Sequence, residues 1–461
     1  MSERVVVSNR GPLTFRYGPD KSLRAVPAGG GLASSLHSLL AGSGATWVSV
    51  TMGAADREAA TRGLLTEDGL TLLPVPVDDD TYRQAYDVIA NSTLWFCHHH
   101  LFDLPRRPRF DRHWRLAWDG YRAYNQAVAD VVAAHAGSGA IVLVQDYHFS
   151  LLGRMLAERR PDLRTAHFLH TPFADPSMLA VLPDDAAAEI LDGMAGFGAC
   201  GFHCHQWEAG FLACFAAAGR TAPRTFVSPL APDHAGLAAE ASSVECARAA
   251  EALRAETGGR RIILRVDRME PSKNIVRGML AFEEMLLGHP EWRGEVVHVT
   301  LAYPSREGLA EYLAYAAEVV HVAERINHAL GTPGWDPIAL HVEDDRVRSL
   351  GALSISDVLL VNPVRDGLNL VAKEGPLLNG VGGVLVLSRQ AGAWEELAPA
   401  ALGVNPFDVS GTADALHRAL SMDTPARAAR AAELQSIVRA RTSADWLADQ
   451  LGAAQPPTPV S

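Results

Sequence analysis

Residues 358–374 read Val-Leu-Leu-Val-Asn-Pro-Val-Arg-Asp-Gly-Leu-Asn-Leu-Val-Ala-Lys-Glu. Val358–Val361 is an apolar strand, and Asp366-Gly367 opens a turn that leads into a helical pattern. A strand that runs through a glycine turn into a helix leaves unpaired backbone N–H groups at the helix start, where an anion can sit. Gly367 removes the side chain that would obstruct close approach. Asp366 stands at the turn, ready to accept hydrogen bonds from hydroxyls. Glu374 lies four residues beyond Leu370 and shares its helix face. A capped core helix explains the Asp and the Gly, but not a Glu on the apolar face of Leu-Val-Ala. An anion cradle flanked by two carboxylates suits a ligand with phosphates in the middle and hydroxyls at both ends, as in a nucleotide-sugar.

Around this segment, short apolar runs alternate with helical patterns along all 461 residues. One strand series is Val5–Asn9, Trp47–Val50, Ile141–Gln145, Ala166–His170 and Ala199–His203. A second is Ile262–Val266, Val296–Ala302, Ala339–Val342, Val358–Val361 and Val384–Leu387. Helices such as Leu32–Leu40 lie between them, so the expectation is an α/β chain with two doubly wound parallel sheets facing a cleft. Residues 233–259 carry no strand pattern and divide the series. The boundary is placed near 240, giving domains 1–240 and 241–461, with the last helix free to fold back on the first domain. The tail from Gln455 reads as disordered. No run of 18 apolar residues occurs, and Met-Ser-Glu-Arg-Val-Val-Val reads as a first strand rather than a signal peptide. Five cysteines without a regular framework fit a reducing compartment, so a soluble, cytoplasmic protein is expected. The net charge of -12 argues against nucleic acid or an anionic membrane as partner. A homo-oligomer is compatible with the sequence.

Other constellations fall at strand ends. Ser8-Asn9-Arg10 is followed by Ala28-Gly29-Gly30-Gly31, whose backbone amides can touch a phosphate or sugar, and Arg10 suits a phosphate. In the second half, Arg268 and Lys273 flank a Pro-Ser turn, where two cations can hold a diphosphate as it becomes a leaving group. Tyr303-Pro-Ser-Arg306 places another Arg at a strand end. Gln145-Asp146-Tyr-His148 and Phe168-Leu-His170 form a polar wall, and Asn91-Ser-Thr-Leu-Trp95 adds an aromatic ring of the kind sugars stack on. Asp78–Asp80 reads as a helix start or loop cluster. His98–His100 reads as extended chain whose neighbours point apart. Cys200-Gly-Phe-His203-Cys204-His205 looks like half a zinc site. No metal and no cofactor is expected.

Taken in order, these motifs resemble the trehalose-6-phosphate synthase family of retaining glycosyltransferases, glycosyltransferase family 20, which has the two-Rossmann GT-B fold. Asp366-Gly-x-Asn-Leu-Val-Ala-Lys-Glu374 carries most of the resemblance. Trp118-Asp-Gly-Tyr121, Asp146-Tyr-His148, His170-x-Pro-Phe173 and Gly383-Val-Leu-Val-Leu-Ser388 support it, and it extends to Val404-Asn-Pro-Phe-Asp408. The resemblance implies that Arg268, Lys273 and the amides of Gly367, Leu368, Asn369 and Leu370 hold the donor diphosphate, and that Glu374 holds the ribose hydroxyls. It implies that Asp366 and His170 contact the donor sugar, that Asp146 lies near the acceptor, and that Arg10, Tyr86, Trp95 and Arg306 bind the acceptor sugar phosphate.

The implied reaction joins the anomeric carbon of a nucleotide-glucose to the anomeric oxygen of glucose 6-phosphate with retention, giving α,α-trehalose 6-phosphate. The sequence offers no nucleophile pair, which favours front-face substitution. Three segments depart from the family pattern. Trp47-Val-Ser-Val50 stands where the family has Trp-x-Gly-Trp, His170-Thr-Pro-Phe-Ala174 ends in Ala, and Glu270-Pro-Ser-Lys-Asn274 replaces Asp-Tyr-Ser-Lys-Gly. The last two resemble an actinobacterial branch, which implies GDP-glucose as donor, with UDP-glucose the alternative. No phosphatase domain is read in the chain. Two other readings stay open. One is a pseudo-glycosyltransferase that couples an activated cyclitol to an amino-cyclitol phosphate, suggested by Val50. The other is a catalytically silent sugar-phosphate sensor, against which Arg268 and Lys273 both argue.

Overall fold

The computed structural model describes residues 2–27, 31–62, 65–306 and 308–455. Gly30, half of the expected glycine loop, and the tail from residue 456 lie outside them. The chain divides into two compact units. One is Met1–Pro229 together with Ser443–Ser461, and the other is Leu230–Thr442.

The strands of the first unit are β1 (Ser2–Ser8), β2 (Leu13–Tyr17), β3 (Leu23–Pro27), β4 (Thr46–Val50), β5 (Leu65–Glu67), β6 (Leu70–Val75), β7 (Ala136–Gln145), β8 (Arg164–Phe168), β9 (Ala199–Phe202) and β10 (Arg224–Val227). Its main sheet runs β10-β9-β8-β7-β1-β4-β6-β5. All neighbours are parallel except β5 on β6, and β2 and β3 form a separate antiparallel pair. Val5, Val6 and Val7 are at most 1% exposed, as a strand covered on both faces requires. The β2–β3 pair, β5, β6 and β10 were missed in the sequence. β5 and β10 are three and four residues long, and Pro74 interrupts the apolar run of β6.

The second unit holds β11 (Arg261–Arg268), β12 (Val296–Tyr303), β13 (Ile338–His341), β14 (Val358–Val361), β15 (Val384–Ser388) and β16 (Leu402–Val404). They form one all-parallel sheet in the order β13-β12-β11-β14-β15-β16. In each sheet the chain winds outward from the first strand to one side and then returns to fill the other. Strand order therefore reverses beside β1, at β7, and beside β11, at β14. Loops leaving such neighbours diverge to opposite faces and open a crevice at the carboxyl ends of the strands.

The helix Ser443–Ala453 belongs to the first unit. Trp446 is fully buried, edge-on to Phe168 with ring centres 5.3 Å apart, and Gln450 accepts from Gln145 at 2.9 Å. Trp446→Ala removes this buried ring beneath β8, and the expected cost is about 3–5 kcal/mol. Urea unfolding followed by fluorescence measures it. A loss below ~1 kcal/mol would mean that the helix contributes little to the unit.

Candidate active site

In the second unit, two loops leave the reversal point: Met269–Asn274 after β11, and Asn362–Leu370 after β14. They meet in an ion pair, Lys273 Nζ to Asp366 Oδ2, at 2.5 Å. Asn369 Nδ2 donates to the same oxygen at 3.1 Å. The backbone of Asp366 is fixed on both sides. Its N–H donates to Gln390 O, and its carbonyl accepts from Gly392 N–H, each at 3.0 Å. A Cβ on Gly392 would overlap the carbonyl of Gly367.

Lys273 is placed from beneath. Arg265, in the middle of β11, is fully buried. Its Nε donates to Asp267 Oδ2 at 2.7 Å, Nη2 donates to Lys273 O, and Nη1 donates to Asn274 O at 3.4 Å. Asn274 takes the left-handed conformation (φ 61°) and donates from Nδ2 to Asn362 O at 2.9 Å and to Pro406 O at 2.7 Å. Burial works against the Lys273 charge, but Asp366 and Asp267 outweigh it and hold the pKa above the ordinary lysine value.

Glu270 completes the cationic group. It is fully buried, and its Oε1 lies 3.1 Å from Arg268 Nε and 3.8 Å from Arg306 Nη1, and accepts from Ser305 Oγ at 2.9 Å. Arg306 also donates to Tyr312 OH. Burial pushes the Glu270 carboxyl up, yet Arg268, Arg306 and Lys273 overcome it and bring it down to about 2. The structure thus gathers Arg268, Lys273, Arg306 and Asp366 in one unit, with Arg268 still half exposed. The fold reaches the helix Val371–Leu378 through Gly367–Leu370. Among the described residues, no protein group accepts from the N–H of Leu368, Asn369 or Leu370, so three amides are open to an anion. Glu374 is half-buried on that helix. Burial raises its pKa, which Arg346 opposes and Glu240 reinforces. Lys373 turns into the core, donating to Leu230 O at 2.9 Å and pairing with Glu396 at 2.5 Å.

In the first unit, the reversal point lies between β1 and β7. Asn9 is buried and accepts from Tyr124 OH at 2.6 Å. Arg10 is exposed, with its carbonyl held by Ser8 Oγ, which in turn accepts from Trp47 Nε1 at 2.8 Å. Asp146 follows β7 with φ 72° and ψ 169°, a region that is essentially glycine-only. Hydrogen bonds to the end of β8 and the residues after it help hold it there. Its N–H donates to Phe168 O at 2.8 Å, its carbonyl meets His167 Nε2 at 3.0 Å, and its Oδ1 accepts from His170 N–H at 3.2 Å. His170 Nε2 lies 3.0 Å from Gln145 Oε1 and Nδ1 lies 3.3 Å from His203 Nε2. The amide oxygen assigns the proton to Nε2. Burial, helped by His167, pushes the His170 pKa down to about 3, so the ring is neutral.

Tyr86 sits on the i→i+5 helical segment Gln84–Leu94, stacked 5.1 Å from Tyr82 and 5.7 Å from His148. Such a widened helix is rare and frequent at functional sites. Trp95 follows it, 6% exposed, stacked 3.9 Å from His99 and tilted against Tyr147. Gly31 opens the helix Gly31–Leu40.

Of the metal-like runs, Asp78–Asp80 is the helix start it reads as, whereas the histidine run is not extended chain. Asp78 caps a helix by accepting from Thr81 N–H. His98 and His99 lie on the helix Trp95–His99, not on extended chain, and bond separately to Ala174 N–H and Trp95 O. Leu94–His99 continues the preceding helix, which overrides the local pattern. Among the described residues, the group that could offer ligands to a cation is His289, Glu291 and His417, with ligand atoms within 4.8 Å of one another. Its two imidazoles stack at 3.5 Å and 7°, so their in-plane lone pairs run parallel rather than converging.

Arg265, Glu270 and Asn274 were not singled out in the sequence. Their signals are an Arg inside an apolar strand two residues from an Asp, an acid between two Arg-bearing loops, and an Asn at a helix start.

The model of glycosyltransferase family 20 matches residues 2–455. A trehalose-6-phosphate synthase of Mycobacterium tuberculosis is 33% identical over 486 residues, covering 99% of this chain and 95% of its own. A bifunctional trehalose-6-phosphate synthase/phosphatase of Thermoproteus tenax is 33% identical over 96% of this chain, which spans 62% of that protein's length. Among solved structures, the E. coli trehalose-6-phosphate protein bound with UDP-2-fluoro glucose superposes with a TM-score of 0.86 at 29% identity, covering 98% of this chain and 99% of that one. An α,α-trehalose-phosphate synthase (UDP-forming) from Burkholderia xenovorans in complex with glucose-6-phosphate gives 0.85 at 27% identity, covering 98% and 100%. The two doubly wound units are those of the GT-B fold.

Two stability measurements test the geometry. The folded pKa of Glu270 lies below the unfolded value near 4.3, so its carboxylate stabilises the fold above that pH and loses this as pH falls toward about 2. Wild-type stability should fall more steeply than that of Glu270→Gln across this window, by about 3 kcal/mol at most. Parallel pH curves would remove the buried ion pairs from the account. At position 146, Asp146→Gly should be more stable than Asp146→Ala by about 1–3 kcal/mol, because only glycine adopts that conformation without strain. The reverse order would mean that no strain is stored there.

Proposed function

The chain belongs to glycosyltransferase family 20, and from that premise we propose that it transfers glucose from a nucleotide-glucose to glucose 6-phosphate, forming α,α-trehalose 6-phosphate with retention. The observation that carries this reading is the Lys273–Asp366 pair beside three open amides, at the reversal point of the second sheet. In this reading, Lys273, Arg268 and the amides of Gly367–Leu370 hold the donor diphosphate, and Glu374 takes the ribose hydroxyls. Asp366 and the neutral His170 bind hydroxyls of the donor glucose. Arg10 and Arg306 bind the acceptor phosphate, Asp146 a hydroxyl of the acceptor, and Tyr86 and Trp95 belong to the aromatic wall behind it. Gly30 and Gly31 supply backbone amides to the donor.

The reaction proceeds at the front face of the anomeric carbon. The bond to the diphosphate breaks first, and Lys273 and Arg268 stabilise the charge that develops on the leaving oxygen. That oxygen takes the proton of the incoming anomeric hydroxyl as the new bond forms. GDP-glucose is the favoured donor, supported by the likeness of Glu270-Pro-Ser-Lys-Asn274 to the actinobacterial branch. The five cysteines are buried and unbridged, which supports a cytoplasmic location. No helix among the described residues is long and apolar enough to cross a membrane.

The deciding experiment measures nucleoside diphosphate release from GDP-glucose and UDP-glucose, each with and without glucose 6-phosphate. Acceptor-dependent release is expected. Its absence with both donors, in folded protein, rejects the synthase reading and favours the cyclitol-coupling or sensor alternative. Lys273→Ala should lower kcat by about 10²–10³, the loss of one preorganised charge-stabilising donor. A change below tenfold would remove it from the leaving-group role. Arg10→Ala should raise KM for glucose 6-phosphate and leave the slow hydrolysis of the donor unchanged; an unaltered KM would take Arg10 out of the acceptor site.

A further inference from the structure

Away from the donor and acceptor residues, the second unit carries a hollow of about 520 Å3 against β16, the edge strand of its sheet. Arg389, Arg418 and Arg430 line it, with Asp408 and Asp414. Arg389 Nη2 donates to Gly403 O at 3.2 Å, and Arg430 Nη1 donates to Ala400 O at 3.0 Å, so backbone carbonyls aim both guanidinium groups. Arg418 is exposed and, among the described residues, makes no hydrogen bond. Among the described residues, none of the three forms an ion pair. In the same unit Arg325, Arg346 and Arg427 pair with Glu283, Glu240 and Asp357. Asp408 is engaged as a helix cap, accepting from Gly411 N–H at 2.8 Å. Asp414 makes no bond among the described residues and offers an acceptor.

Three guanidinium groups match a phosphate, which they bind through charge-assisted, fork-like hydrogen bonds. A free carboxylate repels a bare anion but accepts from hydroxyl groups. We propose that this hollow is a second ligand site, separate from the catalytic residues, and that it takes a phosphorylated polyol of sugar-phosphate size.

Two residues of the lining adjoin in sequence the anchors of the Lys273–Asp366 pair. Arg389 is followed by Gln390, whose carbonyl accepts from Asp366 N–H at 3.0 Å. Asn405 is followed by Pro406, whose carbonyl accepts from Asn274 Nδ2 at 2.7 Å, next to Lys273. Occupancy of the hollow therefore changes donor affinity, a coupling that rests on the donor reading above.

The test is calorimetry on the full chain with ribose 5-phosphate, inorganic phosphate and ribose as probes, in wild type, Arg418→Glu and Arg430→Gln. Circular dichroism confirms that the variants fold. Ribose 5-phosphate should bind the wild type, and Arg418→Glu should weaken it about tenfold or more. Ribose should give no heat. Absent binding, or equal affinity in wild type and both variants, overturns the site. Inorganic phosphate binding as tightly as the ester overturns the polyol assignment. Saturating ribose 5-phosphate should shift nucleotide-glucose affinity about fivefold or more. An unshifted affinity overturns the coupling alone, whereas failure of any nucleotide-glucose to bind counts against the donor reading and leaves the calorimetric result standing.

Discussion

A guanidinium with no exposure to water must be met by acceptors on every side, because an uncompensated buried charge costs several kcal/mol. Arg265 meets that demand with one carboxylate and two backbone carbonyls. Both carbonyls belong to the turn that presents Lys273, so the need to satisfy Arg265 also dictates where that turn lies. Asn274 extends the constraint by tying the turn to the loop after β14 and to the segment after β16. The Lys273–Asp366 pair is therefore the partly buried outer end of a buried hydrogen-bond network. Such a network is stable only when every member is satisfied, which favours one geometry over a range of loop positions.

The first unit meets the same topological requirement by another means. Among the described residues, no buried cation stands at its reversal point. Instead Asp146 is held in a conformation that a side chain disfavours, by one bond to each of Phe168, His167 and His170. Strain and buried charge are two ways of holding a polar group where the surrounding fold, rather than local preference, decides its position. The bond from His170 N–H to Asp146 Oδ1 joins the ends of β7 and β8, so the acid and the neutral imidazole are positioned together.

The strand–turn–helix at 358–374 was legible because three signals coincided there: an apolar strand, a glycine turn, and a carboxylate on an apolar helix face. Lys273 and Asp366 could each be read as strand-end groups, but no periodicity shows that residues 93 positions apart form one ion pair. The role of Lys373 was hidden for the opposite reason. It lies inside the most informative motif, yet it points into the core toward Leu230 and Glu396. Nothing in the local sequence marks Glu270 for the interior, yet the fold buries it completely between Arg268 and Arg306. The widened helix at Gln84–Leu94 leaves no trace in composition; it packs so closely on the neighbouring helix that a Cβ on Gly120 would overlap the Gln84 side chain. His98–His100 was misjudged for a similar reason, since three consecutive residues cannot reveal that a helix begun at Gln84 continues through them.

The close approach of Gly392 to Gly367 bears on how such a site can diversify. With no room for even a methyl group, position 392 is closed to substitution, and the carbonyl of Asp366 that it holds cannot shift to suit a different ligand. Related chains that accept other substrates must therefore vary side chains around a fixed backbone hook, leaving the hook itself intact. In a collection of random variants, position 392 should stand out as one of the least tolerant in the second unit, although it carries no functional group.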